Sequence, residues 1–290
     1  MTPSDGRRGR AWAGGAAWRG VLPLCPLLLV LAVLFVYPLA RVLALGWTGP
    51  GGGSAVFREF LREPLYRAVL LRTFRLSLTV TGVCLVVGYP MAYVIATAPR
   101  RLATGLLAVV IVPFWISVLG RSFTWLVLLQ RNGVVNQLLR GLGLTREPLS
   151  LVYNELGVHI GMVHILLPFM VLSLYGVMRG IDPTLLRAAA NLGASEGQAF
   201  WRVYLPLSLP GVAAGTVLVF VVGLGFFITP ALLGGGQVTL VAMLIEANVR
   251  EALDWPLAAM LSLGLLVATV AVLVPASRLL RFDRMFGTGR

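Results

Sequence analysis

The sequence predicts an all-α, polytopic membrane protein, and three observations predict it. Of 290 residues, 58% are hydrophobic and only 12% charged, with a mean hydropathy of +0.88; soluble domains are roughly 45–50% apolar and about a quarter charged. The apolar residues gather into six runs close to the ~20 residues a helix needs to cross hydrocarbon. The charged residues fall mostly between those runs. Inside hydrocarbon a segment must satisfy its own backbone hydrogen bonds, so the runs are helices.

The first run, 21–45, follows a basic tail at 1–20 and is longer than the ~7–15 apolar residues of a signal-peptide core, so it is expected as a retained first helix. A loop at 46–72 separates it from the second run, 73–98. The third is read as one span over 104–129 and the fourth covers 156–178. The fifth, 207–233, carries Gly211, Gly215, Gly223 and Gly225, which allow close helix approach, and Pro230, which interrupts backbone bonding, so it is a candidate gate. The sixth covers 256–280 and a short tail, 281–290, ends the chain.

Six spans place both termini on one side. The tails and the loops at 99–103 and 179–206 hold 12 Arg, and the loops at 46–72, 130–155 and 234–255 hold 8; the excess predicts cytoplasmic termini. All 24 basic residues are Arg, a pattern read as genome composition, and the net charge of +13 is scattered between apolar runs with no clustered surface for nucleic acid. Cys25 and Cys84 lie in apolar stretches, where free Cys acts as a small hydrophobe.

Residues 179–210 spell two short helices. Asp182 caps the first with Pro183 at its first position, Leu185, Leu186, Ala189 and Leu192 form an apolar stripe, and Gly193 ends it. Ser195 and Gln198 match a capping box for the second, and Pro206 is expected to stop it. Within this hairpin, which also carries Ala194, Arg187-Ala188-Ala189, Gly193, Val203 and Leu205-Pro206 follow the pattern E-A-A-x3-G-x9-I-x-L-P after its first position. The pattern resembles the EAA loop of bacterial ABC-type importer permeases. Pro113-Phe114-Trp115, Asn132-Gly133, Gly161-Met162-Val163-His164, Leu167-Pro168-Phe169 and the run from Gly225 to Gly235 narrow it further. Together they resemble the first (B-type) permease subunit of spermidine/putrescine transporters over roughly residues 70–280.

The resemblance implies a type I ABC importer permease fold in the bacterial inner membrane, with a permease core at 73–280 and a coupling loop at 182–206 that docks on a cytoplasmic ABC ATPase dimer. It also implies a second related permease, a periplasmic substrate-binding protein, a membrane lipid environment and alternating access. In such a system this subunit is non-catalytic and binds no cofactor, ATP and Mg being bound by the partner ATPase. The chain has no Lys and hence no phosphate-cradling G-x4-GK[ST] loop. One departure stands out: Arg187 occupies the position where the family has Glu, and it is expected either to meet a matching change on the ATPase or to face water.

Candidate pathway residues are Tyr89, Trp115, Arg121, Trp125, Phe226 and Phe227. Intramembrane charge marks function, so Arg121 either lines the pathway or pairs with a neighbour, whereas Arg75 lies near enough to a helix end to snorkel. Cationic cargo calls for carboxylates and aromatic faces, yet no acid lies inside a span; Glu155 and Glu246 are the nearest. Substrate choice is therefore expected to rest mainly with the binding protein. Another solute of the same subfamily, such as ferric ion, thiamine or a phosphonate, stays open as cargo. A non-ABC carrier would show repeated halves with intramembrane acids, which are not apparent, and a membrane scaffold would not need the loop pattern. His159 and His164 are five apart and flanked by no Cys or acid cluster, so no metal site is expected.

Overall fold

The computed structural model describes residues 24–47, 58 and 62–279. The tails at 1–20 and 281–290 and the glycine-rich part of the first loop lie outside the described residues. Five helices among those described are long and apolar enough to cross a membrane, and a sharply bent helix pair makes six where it is counted as one span.

The first crossing, α1 (Cys25–Leu45), contains a π-helical turn at Ala32–Val36 just before Pro38. The second, α2 (Pro64–Thr97), begins nine residues before the expected start. Pro64 supplies the preorganised first helical position, and the added turns bury Val69 while Arg67 stays nearer the surface. Residues 64–72 are therefore helix and not loop.

The third crossing corrects the expected single span. The segment consists of α3 (Arg100–Ile111), a 3-10 turn at Val112–Trp115, an extended step at Ile116, and α4 (Val118–Leu129), and Arg100–Trp115 is bent by 98° from the arm Val118–Gly141. Pro113 removes a backbone donor, and Ser117 begins a new helix by accepting the Gly120 amide at 3.1 Å. A short α5 (Val134–Gly141) precedes α6 (Glu155–Met178), whose first turn is capped by Asn154.

The hairpin comprises α7 (Pro183–Asn191) and the start of α8 (Glu196–Leu224). Here too an expectation fails: Pro206 does not stop the second hairpin helix. A π-helical turn at Phe200–Tyr204 immediately precedes it, and a widened turn can accept a residue that lacks a donor. The second hairpin helix and the fifth crossing are thus one helix. That crossing ends at Leu224, short of the expected 233, and α9 (Ile228–Leu233) follows a break at Gly225–Phe227. Then come α10 (Val241–Arg250), inside what was read as a loop, and α11 (Trp255–Leu279).

The core lies where α2, α6 and α8 meet, with Leu76, Val80, Met162, Leu166, Met170, Leu174 and Val219 fully buried. Small residues bring these helices together: a Cβ on Gly215 would fall 2.7 Å from the Met170 sulfur, and one on Gly211 3.0 Å from the Val177 Cβ. A smaller cluster of Met260 and Leu261 joins α11 to Tyr66, Leu70 and Leu244, while the flank of α1 is exposed.

Candidate functional site

The hairpin is built from local bonds. Asp182 Oδ1 accepts the Thr184 amide at 2.8 Å, and that backbone N–H, with help from the Thr184 hydroxyl, holds the exposed Asp182 carboxyl below the usual carboxylate range. Gly193 takes φ +87°, and the Ala194 amide reaches back to the Ala189 carbonyl at 3.0 Å, a Schellman closure that needs a residue free to adopt the left-handed region. Ser195 Oγ accepts the Gln198 amide at 3.3 Å while Gln198 Oε1 accepts the Ser195 amide at 3.0 Å, completing the expected capping box. Arg187 and Ala188 are exposed, and Ala189 and Ala194 half-buried. Of the apolar stripe, Leu186 packs on the core, but Leu185 is exposed and Leu192 is 89% exposed.

Beneath the hairpin lies an aromatic base that the sequence reading passed over. Phe200 meets Tyr89 and Tyr93 edge to face at 6.2 and 5.6 Å, Tyr93 meets Tyr204 at 5.0 Å, and Phe200 stacks on Tyr204. Tyr89 Oη and Ser208 Oγ share a hydrogen bond of 2.9 Å. These contacts clamp the π-helical turn onto α2, next to Leu205 and Pro206, so hairpin and core are mechanically continuous. The signal was present as aromatics at 200, 201 and 204, near the helical spacing of Tyr89 and Tyr93.

The candidate pathway residues do not form one group. Tyr89 belongs to the aromatic base. Arg121 lies deep in the bundle and Trp125 is half-buried beside it: Arg121 is 7% exposed, its guanidinium carbon sits 6.0 Å from the centre of the Phe114 ring, and its Nε and Nη1 lack a hydrogen-bond partner among the described residues. Trp125 packs on the His164 ring at 5.4 Å, and Phe114 on Phe169 at 4.9 Å. Ser122 Oγ and Thr229 Oγ1, 2.8 Å apart, tie α4 to α9 just beyond the break that carries half-buried Phe226 and Phe227. Trp115, 88% exposed at the end of the 3-10 turn, stands outside this group.

The opposite end of the bundle is stitched by bonds between distant residues. Arg75 pairs with Glu155 at 2.5 and 2.8 Å, which gives the snorkelling cation a partner, and His159 bridges Thr79 and the Glu155 carbonyl at 2.7 Å each. Arg72 Nη1 donates to the Gln237 carbonyl at 3.0 Å, and the Val241 amide donates to buried Thr73 Oγ1 at 3.0 Å. Asn136, fully buried, donates to the carbonyls of Gln130 and Leu149 and accepts the Leu149 amide. Glu246 pairs with Arg250 one turn along α10.

Comparison with known proteins matches residues 21–280 to the family described as binding-protein-dependent transport system inner membrane component. The spermidine/putrescine transport system permease protein PotB of Escherichia coli K12 is 39% identical over 223 residues, covering 76% of this chain and 81% of that one. PotB of Haemophilus influenzae is 35% identical over 257 residues, covering 87% and 86%. In fold, the chain is similar to a chain of a bacterial alginate ABC transporter solved in complex with an alginate pentasaccharide-bound periplasmic protein, with a TM-score of 0.72 and 19% identity over 97% of this chain and 100% of that one.

Proposed function

The chain belongs to the family of binding-protein-dependent transport system inner membrane components, multi-pass proteins of the inner membrane, and from that premise we propose that it is one permease subunit of an ATP-driven importer of polyamines of the spermidine and putrescine class. The observation that carries the reading is the hairpin. It is rigidly capped, it presents exposed Leu185 and Leu192, and it runs as one helix into the transmembrane core. Such an element suits docking in a groove of a cytoplasmic ATPase and transmitting that protein's closure into α8. The hairpin end is then cytoplasmic, the opposite end faces the binding protein, and a second permease completes the pathway. Hydrolysis of ATP belongs to the ATPase, which binds ATP and Mg.

In this mechanism ATP-driven approach of two ATPases moves the hairpins. The aromatic base transfers that movement to α2, and the glycine-lined contacts of Gly211 and Gly215 with α6 let α8 shift without a large side chain in the way. The break at Gly225–Phe227 and the Ser122–Thr229 bond form the hinge at which the pathway opens. One observation favours a different cargo: Arg121 places a cation deep in the bundle over the Phe114 ring, two of its nitrogens without a hydrogen-bond partner among the described residues, which repels polyamines and suits an anionic solute such as a phosphonate.

The test is the ATPase activity of the complex, reconstituted with its own ATPase, second permease and binding protein, with spermidine, putrescine or anionic solutes added. Polyamine stimulation is expected. Stimulation by an anion alone would move the cargo and make Arg121 a pathway residue, and a complex insensitive to deletion of 182–206 would remove the coupling role.

A further inference from the structure

Where α4 ends, where α6 begins and where the chain turns after α9, three loops enclose a cavity of about 540 Å³ at the end of the bundle opposite the hairpin. Its polar wall includes Gln130, Arg131, Asn132, Tyr153, Asn154 and Gln237. Arg131 is the one charged residue lining it among those described, and it is exposed. Glu155, next to the lining residue Asn154, is held by Arg75 in two bonds, and Glu147 does not line the cavity. Behind the wall a second guanidinium, that of Arg72, holds the Gln237 carbonyl. A cavity whose described lining carries one guanidinium and no acid suits an anionic group and repels a cationic one.

The wall is also rigid. Asn136 fixes the Gln130 carbonyl, and the Asn154 side chain is spent on the Gly157 amide and the Ser150 carbonyl. Tyr153 sits at φ +60°, a conformation that a non-glycine residue keeps only where its surroundings impose it. Its ring presses on Gly235, where a Cβ would lie 2.5 Å from Tyr153 Cδ1.

We propose that this cavity is a socket for an acidic side chain projecting from the binding protein, with Arg131 reading its charge. The proposal rests on the transport reading above, which turns this end toward the binding protein. Free polyamine is not the occupant, because Arg131 repels it. The acidic contact sets the encounter rate and the docking register, and the deep pathway contributes nothing to it.

The experiment titrates substrate-loaded binding protein against the reconstituted complex and follows ATPase stimulation. Arg131→Glu is expected to raise the half-saturating concentration about tenfold, with the plateau recovered at saturating binding protein and the salt dependence of half-saturation diminished. Arg131→Gln, which removes the charge without reversing it, is expected to shift it about threefold in the same direction. Arg101→Glu, at the hairpin end, serves as the control that does not move the curve. A titration of Arg131→Glu that overlays the wild type overturns the socket while leaving the transport reading intact. A wild-type complex that no binding protein stimulates overturns the transport reading and the socket with it.

Discussion

The two ends of the bundle are made in opposite ways. At the hairpin end the structure is written over two to five residues: Asp182 to Thr184, Ser195 to Gln198, Ala194 back to Ala189. At the other end it is written across the chain: Arg72 to Gln237, Thr73 to Val241, Arg75 to Glu155. The first kind of end keeps its shape while it moves as a body, which suits a lever. The second holds several helices in register, which suits a platform on which something docks.

Matched glycine substitutions test the contrast most strongly. A Cβ on Gly133 would fall 2.4 and 2.6 Å from the carbonyl oxygens of Leu128 and Val127, backbone atoms that cannot yield without unwinding α4. Gly133→Ala is expected to cost about 3 kcal/mol and lower the midpoint of thermal unfolding of the purified protein by several degrees. Gly193 has φ +87° but open space around it, so Gly193→Ala meets backbone strain alone, about 1–2 kcal/mol. Equal shifts from the two variants would erase the distinction.

A second pair compares polar fasteners. Asn136→Ala strands two carbonyls and one amide in a buried setting and is expected to cost about 1–3 kcal/mol, with faster hydrogen exchange at Leu149. Ser195→Ala removes an exposed cap worth about 1 kcal/mol, and its exchange effect should stay within the first turn of α8. Spread of the Ser195 effect into the core would show that the hairpin is no separate lever.

This contrast also explains what the sequence made legible. The caps at Asp182, Gly193 and Ser195 were readable because each is a few adjacent residues with one stereochemical solution, and the all-α membrane class followed from composition. Three of the failures involve prolines. Pro206 was read as a stop, yet packing of Phe200 and Tyr204 on Tyr89 and Tyr93 favours a widened turn that carries the helix through it, and those partners lie a hundred residues away. Pro64 and Pro113 did carry local signals, a helix start and a break before the Ser117 cap, but counting apolar residues placed helix ends by charge and overrode them. In the membrane interior, the burial of Arg121 over Phe114 and the separation of Tyr89 from Trp125 depend on how α4 folds back against α6, which no local pattern states.

Two smaller predictions sharpen the lever itself. Arg187 is exposed, so under the proposed coupling role its effect comes through the ATPase. Arg187→Glu is expected to lower transport-coupled ATPase activity about two- to fivefold, the range of one exposed ion pair. A rise would show that Arg is a defect at this position and not an adaptation to the partner.

The smallest effect concerns Asp182. Its carboxyl is held below the usual range because the charged form accepts the Thr184 amide, so its contribution to α7 is fully present above the ordinary carboxylate pKa. It is lost only as pH falls through the lowered, folded-state value. Protection of the Thr184 amide, corrected for intrinsic exchange, should therefore stay flat from neutral pH through the ordinary carboxylate range and drop below it. Asp182→Asn keeps an acceptor that does not titrate and should abolish the drop. If protection instead falls at the ordinary carboxylate pKa, the cap is not made in solution, and the hairpin owes its order to the aromatic base beneath it and not to its own short-range bonds.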